Sequence, residues 1–384
     1  MSKSSIVNGI IGGTYKSGEI WILKALTPAH IGVGRSLEEA ADLPIYRDPF
    51  GIPGSPASST KGALRSDFHR KLTILAHHKL KMSTGDIDDI VNRIESVIFG
   101  PPAGRAGEWQ WSSAIEVLDA NLLFIPVRSL RGIFAYVTSP LLIERFKELL
   151  GLMSRYNSDY AEYFKVFNKF YVLSKKIKEY EAIALTKDAF DDLSINNKVL
   201  LLETLLLEIQ DKSKEAEDIV KVLRQIDANI PDKLLIVSDE AMATVVRRGT
   251  WIYTRVALDY EKKIVKIGAL WTEEYLPPGT MLYTALLYAD AKVIIRDIWG
   301  SKINEIVKLL KSWGIESVKI TYRAEDVSVN ELERHGEGRI EFRGIKKLFK
   351  KAILSDEGEG VILIGGNETI GRGMFRVKVL TRGE

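Results

Sequence analysis

The chain has 384 residues, 46% hydrophobic and 27% charged, with 54 Lys+Arg against 51 Asp+Glu. That length suits roughly two domains, or one with a large insertion, and that composition can bury a core. The net charge of +3 confines any polyanion-binding surface to a local patch. With no cysteine there is no disulfide, Cys-based zinc site, iron–sulfur cluster or Cys nucleophile, and the five histidines show no H-E-x-x-H spacing. No apolar run reaches the roughly 18–20 residues of a membrane span. Asn8, Gly9, Gly12 and Gly13 break the first apolar run, which does not read as a signal peptide, so a cytoplasmic protein is expected.

Residues 19–29 read as a strand stopped by Pro28. Residues 30–66, punctuated by Pro and Gly, read as a long irregular excursion, and loops of that length inside a domain are usually functional. A helix is predicted from about residue 63, with apolar residues at 64, 68, 72 and 75. Residues 115–124 suit a strand. Pro126 then holds Ile125 extended, and Ser129 is placed to cap a following helix. Residues 141–227 lack proline, and the recurrence of Leu200, Leu201, Leu205, Leu206 and Ile209 predicts a block of helices. Strands are predicted at 234–237, 251–259, 264–271 and 281–289, with a hairpin turn at Glu261, Lys262 and Lys263. An amphipathic helix at 299–313, strands at 318–322 and 361–364, and a Gly-rich turn feeding a strand at 375–380 complete the chain. Strand runs with helices at their ends give an α+β class with one helical insertion.

Several loops can carry chemistry. Residues 54–62, with Ser58, Ser59, Thr60 and Lys61, can hold a phosphate through N–H and hydroxyl groups, or can be a plain turn with an N-cap serine. The stretch is not a Walker loop, and S-x-x-K lacks the S-D-N and K-T-G partners of serine acyl enzymes. Pro44 stiffens the loop that carries Asp42, whose carboxylate can hold a divalent cation, orient a hydroxyl, or bond its own backbone. Arg47 and Asp48 read as a local ion pair or an RNA contact. His30 reads as an acid–base group, a phosphate contact or a hydrogen-bonded structural residue. Arg128 and Arg131 suit phosphate or a solvated helix start. Arg247, Arg248 and Arg255, interleaved with Trp251 and Tyr253 on a hairpin arm, suit single-stranded nucleic acid or cross-strand packing. Glu273 and Glu274 are adjacent in a strand and point to opposite faces, so at most one joins Asp42. The Gly371–Arg372–Gly373 turn can line a phosphate track. Scattered basic loops, one loop carboxylate and no nucleotide fingerprint suit an extended polyanion better than a small metabolite.

Six segments, in order, also resemble a known family. L-T-P-A-H-I-G-V-G (26–34), D-L-P-I (42–45) and I-P-G-S through S-S-T-K-G-A-L-R (52–65) are similar to the RAMP superfamily of CRISPR effector proteins. F-I-P-V-R-S-L-R-G-I-F-A-Y-V-T-S-P (124–140), G-A-L-W-T-E-E-Y-L-P-P-G-T (268–280) and I-G-G-N-E-T-I-G-R-G (364–373) resemble its type III-B (Cmr) fourth-subunit branch. The resemblance implies a ferredoxin-like (RRM-like) core from residues 1–140 and 276–384. It further implies a helical insertion at 141–233 and a protruding β-hairpin thumb within 234–275. It implies partners too: guide crRNA, single-stranded target RNA, further copies of the chain in a head-to-tail filament, and other Cmr subunits.

By the same resemblance the chain is an endoribonuclease with a divalent metal, Mg2+ or Mn2+. Asp42 is then the catalytic residue and metal ligand, with His30 and Glu273 or Tyr275 near the cleavage site. A ribose 2′-OH attacks the adjacent phosphate, and base pairing selects the target. Lys61 and Arg65 match guide-contacting positions, and Arg128, Arg131 and Gly371–Gly373 match surfaces that face RNA. The path from the G-x-G to Asp42 is longer than is usual in the family and carries Glu38 and Glu39. The rival readings are a sister backbone subunit that binds RNA without cutting it, and a phosphate-handling enzyme for small molecules.

Overall fold

Unbroken apolar runs build the centre of the molecule. In this computed structural model the described residues are 15–36, 41–80, 82–101, 113–258, 261, 265–289, 291–294, 305, 308–309, 318–322, 325–326, 339–342 and 345–381. In chain order the elements begin β1 (Ser17–Ala25), β2 (Gly54–Ser55), α1 (Ala57–Lys79), α2 (Thr84–Phe99), β3 (Ile115–Val117), β4 (Ala120–Arg128) and β5 (Phe134–Thr138). Next come α3 (Pro140–Met153), α4 (Asp159–Ser174), β6 (Glu181–Ala184), α5 (Lys187–Leu193), β7 (Lys198–Leu201), β8 (Leu205–Asp211), α6 (Glu217–Ile226), β9 (Leu234–Val237) and α7 (Asp239–Arg248). The chain continues through β10 (Trp251–Leu258), β11 (Val265–Tyr275), β12 (Met281–Tyr288), β13 (Ala291–Ile294), β14 (Val318–Tyr322), β15 (Glu325–Asp326) and β16 (Arg339–Phe342). It closes with α8 (Ile345–Ile353), β17 (Glu359–Leu363) and β18 (Met374–Val379).

The contacts divide the chain into two compact units. The larger comprises residues 19–60, 119–285 and 363–384. Its sheet runs β18-β1-β12-β4-β5-β9-β6-β8-β7. Taken alone in chain order, the long strands β1, β4, β12 and β18 lie side by side as fourth, first, third and second. β1 pairs antiparallel with β18, as Trp21 with Val379, and β12 pairs antiparallel with β4, as Met281 with Phe124. Helices cover this sheet. Phe146 of α3 meets Phe167 of α4 at 4.7 Å and Tyr283 of β12 at 4.6 Å between ring centroids. The Tyr160 hydroxyl accepts from Ile20 N (3.0 Å) and donates to Leu380 O (3.2 Å), which fastens α4 to β1 and to the chain after β18. β10 and β11 stand outside that sheet as an antiparallel ribbon.

The smaller unit comprises residues 1–18, 61–118 and 286–362. Phe68 of α1, Phe99 of α2 and Phe349 of α8 pack ring on ring at its centre, 5.7–6.5 Å apart. α8 buries Ile345, Leu348, Phe349, Ala352 and Ile353. The strands β13-β16-β14-β15 form a separate sheet of four.

Three expectations are corrected. The segment 141–227 is not a block of helices, because it contains β6, β7 and β8, which extend the large sheet. Leu207 and Ile209 of β8 turn inward and Leu206 and Glu208 outward, a period of two. The three- and four-residue leucine spacing arises because the β7–β8 turn at Leu202 and Glu203, both at positive φ, joins two short strands. Ser129 caps no helix: its N–H donates to Ile133 O (3.0 Å), and β4 returns as β5 through Gly132 and Ile133, both left-handed. The loop expected over 54–62 ends at Pro56, because α1 starts at Ala57, where the Ala57 N–H donates to Asp119 Oδ1 (2.7 Å).

The strand expected at 115–124 is split into β3 and β4 around Leu118 and Asp119. The strands expected at 318–322 and across the ribbon are present. Lys262, Lys263, residues 1–14, Glu38, Glu39 and most of the helix expected at 299–313 lie outside the described residues.

Candidate functional site

The base of the β10–β11 ribbon gathers the chemistry. Residues 41–45 run alongside β11: Leu43 N donates to Thr272 O (3.0 Å) and Glu274 N to Leu43 O (3.0 Å). This places Asp42 at the ribbon's edge against Thr272. Asp42 N donates to Thr272 Oγ1 (2.9 Å), and Asp42 Oδ2 accepts from Thr272 N (2.7 Å) and Oγ1 (2.8 Å). The side chain is exposed, and Oδ1 accepts no hydrogen bond from the described residues. The two bonds from Thr272, backbone first, hold the carboxyl below its ordinary value, and Arg35 adds to this. The group is a fixed negative charge with one free oxygen.

Strand alternation separates Glu273 from Glu274, as expected. Glu274 is buried and ion-paired with Arg47; it also accepts from Ile45 N (3.0 Å) and Thr250 Oγ1 (2.7 Å). Arg47 therefore does not pair with Asp48, which binds Arg145 (2.6 Å) instead. Neither glutamate joins Asp42; the residue that does is Thr272. Glu273 accepts from Trp271 Nε1 (2.8 Å), from Asn367 Nδ2 (3.0 Å) and from the Tyr275 hydroxyl, with Arg255 at 3.5 Å. Burial opposes its ionisation. The bonds from Trp271 and Tyr275 and the charges of Arg255 and His30 outweigh burial, so its carboxyl lies below the usual range. Burial, with the bond to Glu273, pushes the Tyr275 hydroxyl up.

His30 is buried beside this cluster, its ring 5.5 Å from that of Tyr275. Its Nδ1 lies 2.7 Å from Glu274 O, and a carbonyl only accepts, so Nδ1 carries a proton there. Gly32 makes room for the ring, because a Cβ there would meet Nε2 at 2.5 Å. The 364–373 turn closes the cluster from above: Gly366 N donates to His30 O (2.9 Å). Asn367, left-handed at φ 68°, reaches both Glu273 and the Tyr275 hydroxyl (3.1 Å). Arg372 lies over the rings of Tyr253 (5.1 Å) and Tyr275 (5.3 Å).

The structure thus brings together His30, Arg255, Glu273, Tyr275 and Arg372, while Asp42 is held on the neighbouring Thr272 of the same strand. It does not bring in the others. Arg128 pairs with Glu203 (3.0 Å), and Arg131 donates to Ser194 O. Arg247 and Arg248 end α7 rather than lying on the ribbon, and Arg248 donates to Thr204 Oγ1 (2.9 Å). Gly371 is exposed, whereas Gly373 is buried at φ 73°, where a Cβ would meet Ile364 O at 2.3 Å. Ser58 is exposed and Ser59 half-buried in the first turn of α1, while Thr60 is buried against Ser55 Oγ (2.9 Å). Lys61 and Arg65 belong to the smaller unit, where Arg65 pairs with Glu95. Burial and the neighbouring Arg65 lower the Lys61 ammonium's pKa.

Sequence reasoning missed Thr272 and Asn367 as site residues. Thr272 carried no signal beyond its place before Glu273. Asn367 stood in a Gly-rich run where left-handed backbone is expected. Asn367→Gly keeps that backbone and removes only the side-chain bonds. It is expected to cost about 1 kcal/mol, roughly 1–2 °C in thermal unfolding; an unchanged melting temperature would mean the two bonds contribute nothing.

No group of three or more His, Asp or Glu among the described residues could hold a metal ion. A hard cation could still take one carboxylate oxygen and complete its shell with water and phosphate, which suits the free oxygen of Asp42. No described helix is long and apolar enough to cross a membrane.

The α+β fold thus sets a Gly-rich turn on Glu273 and Tyr275 and a loop carboxylate on Thr272, along one strand of the ribbon. The chain belongs to the RAMP superfamily, whose sequence profile matches residues 22–376. It is 33% identical over 307 residues to the CRISPR system Cmr endoribonuclease Cmr4 of Pyrococcus furiosus, covering 77% of this chain and 90% of that protein. It is 25% identical over 285 residues to the CRISPR system CMR subunit Cmr4 of Saccharolobus solfataricus, covering 71% of this chain and 84% of that one. Its fold is similar to a chain of the type III-B Cmr-beta complex bound to cognate target RNA, with a TM-score of 0.60 at 22% identity over 95% of this chain and 98% of that one.

Proposed function

We propose that the chain is a backbone subunit of a type III-B CRISPR (Cmr) effector complex, binding guide crRNA and cleaving complementary target RNA. The observation that carries the cleaving role is Asp42: exposed, ionised, clasped by Thr272, with one oxygen free. A subunit that only binds RNA needs no such charge. The relative from Pyrococcus furiosus, named an endoribonuclease, supports the same reading. The strand order fourth-first-third-second supports a ferredoxin-like core, and the free-standing ribbon supports a thumb. Copies of the chain stack head to tail along the guide, each ribbon splaying one target nucleotide.

At that nucleotide the 2′-oxygen attacks the adjacent phosphorus and gives its proton to water. The P–O5′ bond breaks and the leaving oxygen takes up a proton, giving a cyclic phosphate and a 5′-hydroxyl. A carboxylate held below its ordinary pKa is a weak base, so Asp42 acts through its charge, orienting the 2′-OH. A divalent cation, Mg2+ or Mn2+, would bind at Asp42 and supply neutralising charge to the phosphate. Glu273, Tyr275, His30 and Asn367 hold the ribbon base and its basic residues in place. Lys61, Arg65 and the exposed arginines contribute counterion-releasing contacts to RNA.

The test is the complex assembled on a guide. Complementary RNA is expected to be cut at regular intervals and non-complementary RNA left whole. Guide binding is expected to fall steeply between about 50 and 200 mM salt, as phosphate neutralisation requires. An uncut complementary RNA would remove the enzyme, and a flat salt response would remove the RNA backbone role.

A further inference from the structure

Arg372 is the one basic side chain at the ribbon base whose N–H groups meet no acceptor among the described residues. Its Nε is buried without a hydrogen-bond partner. Buried donors are paired in nearly all native structures, and an unpaired one calls for an explanation. The nearby carboxylate does not supply one, because Glu273 is bonded to Trp271, Tyr275 and Asn367, with Arg255 at 3.5 Å. The side chain is nonetheless held. Its guanidinium lies over Tyr253 at 5.1 Å and Tyr275 at 5.3 Å, and its backbone N–H donates to Asn367 O (3.3 Å). Gly371 and Gly373, at φ 74° and 73°, set the turn on either side, and Gly373 cannot carry a Cβ. Fixed aromatic faces with open N–H forks are how proteins present arginine to phosphate.

We propose that Arg372 clamps one phosphate of the target strand at the ribbon base, as a positioning residue for cleavage. This deepens the reading above and rests on it. It assigns the arginine of the Gly-rich turn to the strand being cut rather than to the guide. The turn joins that strand to the cluster through Asn367, so phosphate and ribbon are held by one loop.

The test compares wild type, Arg372→Ala and Asp42→Ala, each assembled with guide and checked for guide binding by filter retention. Target RNAs carry a single neutral methylphosphonate, moved one phosphate at a time. In wild type one position near each cut is expected to slow cleavage by about 10-fold or more, the scale of a lost charge-assisted contact. In Arg372→Ala cleavage of unmodified RNA is expected to fall by a similar factor, and the penalty at that one position to vanish. Added guanidinium ion is expected to restore part of the rate, by filling the space over Tyr253 and Tyr275. A merely structural arginine would lower the rate but leave every methylphosphonate penalty intact, and that result overturns the proposal. So does a wild-type rate in Arg372→Ala, or a loss of guide binding in it. If Asp42→Ala also cuts at the wild-type rate, the cleaving function itself falls, so the two failures are distinguishable.

Discussion

Asp42→Asn is expected to lower target cleavage by on the order of 10²–10⁴-fold while leaving guide binding and thermal unfolding close to wild type. Asparagine has nearly the same shape, and its carbonyl oxygen can still accept from Thr272 N and Oγ1. What it lacks is the charge on the oxygen that faces away from Thr272. The substitution therefore separates charge from fold, which alanine does not. Acidity supplies a second reading. The folded pKa is depressed below the ordinary 3.8, so the charged form is present above that value and is lost only as pH falls through the lowered one. Lowering the pH from 7 to 5 should leave Asp42 ionised. Any acid limb seen in that window belongs to another group. Thr272→Val, which removes both hydroxyl bonds and keeps the one from Thr272 N to the carboxylate, moves the Asp42 limb upward. Single-turnover rates across pH check both statements. Full activity in Asp42→Asn would make the chain a scaffold and send the search for the cutting residue elsewhere.

Gly365→Ala is expected to be strongly destabilising. Gly365 has φ 96°, and a Cβ there would stand 2.2 Å from the carbonyl oxygen of His30 and 2.8 Å from its carbon. Both are backbone atoms, so no side chain can swing aside. Left-handed strain of about 1–2 kcal/mol adds to overpacking of about 1–3 kcal/mol. The sum is roughly 2–5 kcal/mol, or about 2–6 °C in melting temperature at this chain size. Relief requires the 364–373 turn to lift from His30, which breaks the bond from Gly366 and carries Asn367 away from Glu273 and Tyr275. Gly371→Ala is the control, because Gly371 has φ 74° but open space around it, so it tests strain without contact. The contact argument fails if Gly365→Ala melts no lower than Gly371→Ala.

How much of this was legible beforehand depended on whether short-range pattern or long-range contact decided the outcome. β1, β12 and the ribbon strands follow from apolar or alternating runs, which are local properties. β7 and β8 do not. Their leucines fit a helical spacing equally well, and only pairing with β6 selects the strand. Ser129 was read from a capping preference, but the left-handed pair Gly132 and Ile133 makes a hairpin there instead. In the site, Asp42, His30, Glu273, Tyr275 and Arg372 were legible as residue types suited to chemistry. That Asp42 is held by Thr272, and that Asn367 ties Glu273 to Tyr275, were not. Those bonds join positions 230 and 94 residues apart in the chain. Thr60 shows the converse: its hydroxyl suited phosphate by type, yet it is spent on Ser55 inside the fold.

The clasp between Asp42 and Thr272 also fixes a length. Three hydrogen bonds and a parallel bridge between Leu43 and Glu273 tie the carboxylate to β11. If the ribbon parts the strands as proposed, it and the carboxylate of Asp42 act as one gauge. On that proposal the cut falls at a set offset from the point where the ribbon meets the RNA. In the proposed filament, regular spacing of cuts along a target would then read out the repeat of the stacked copies, each carrying the same offset.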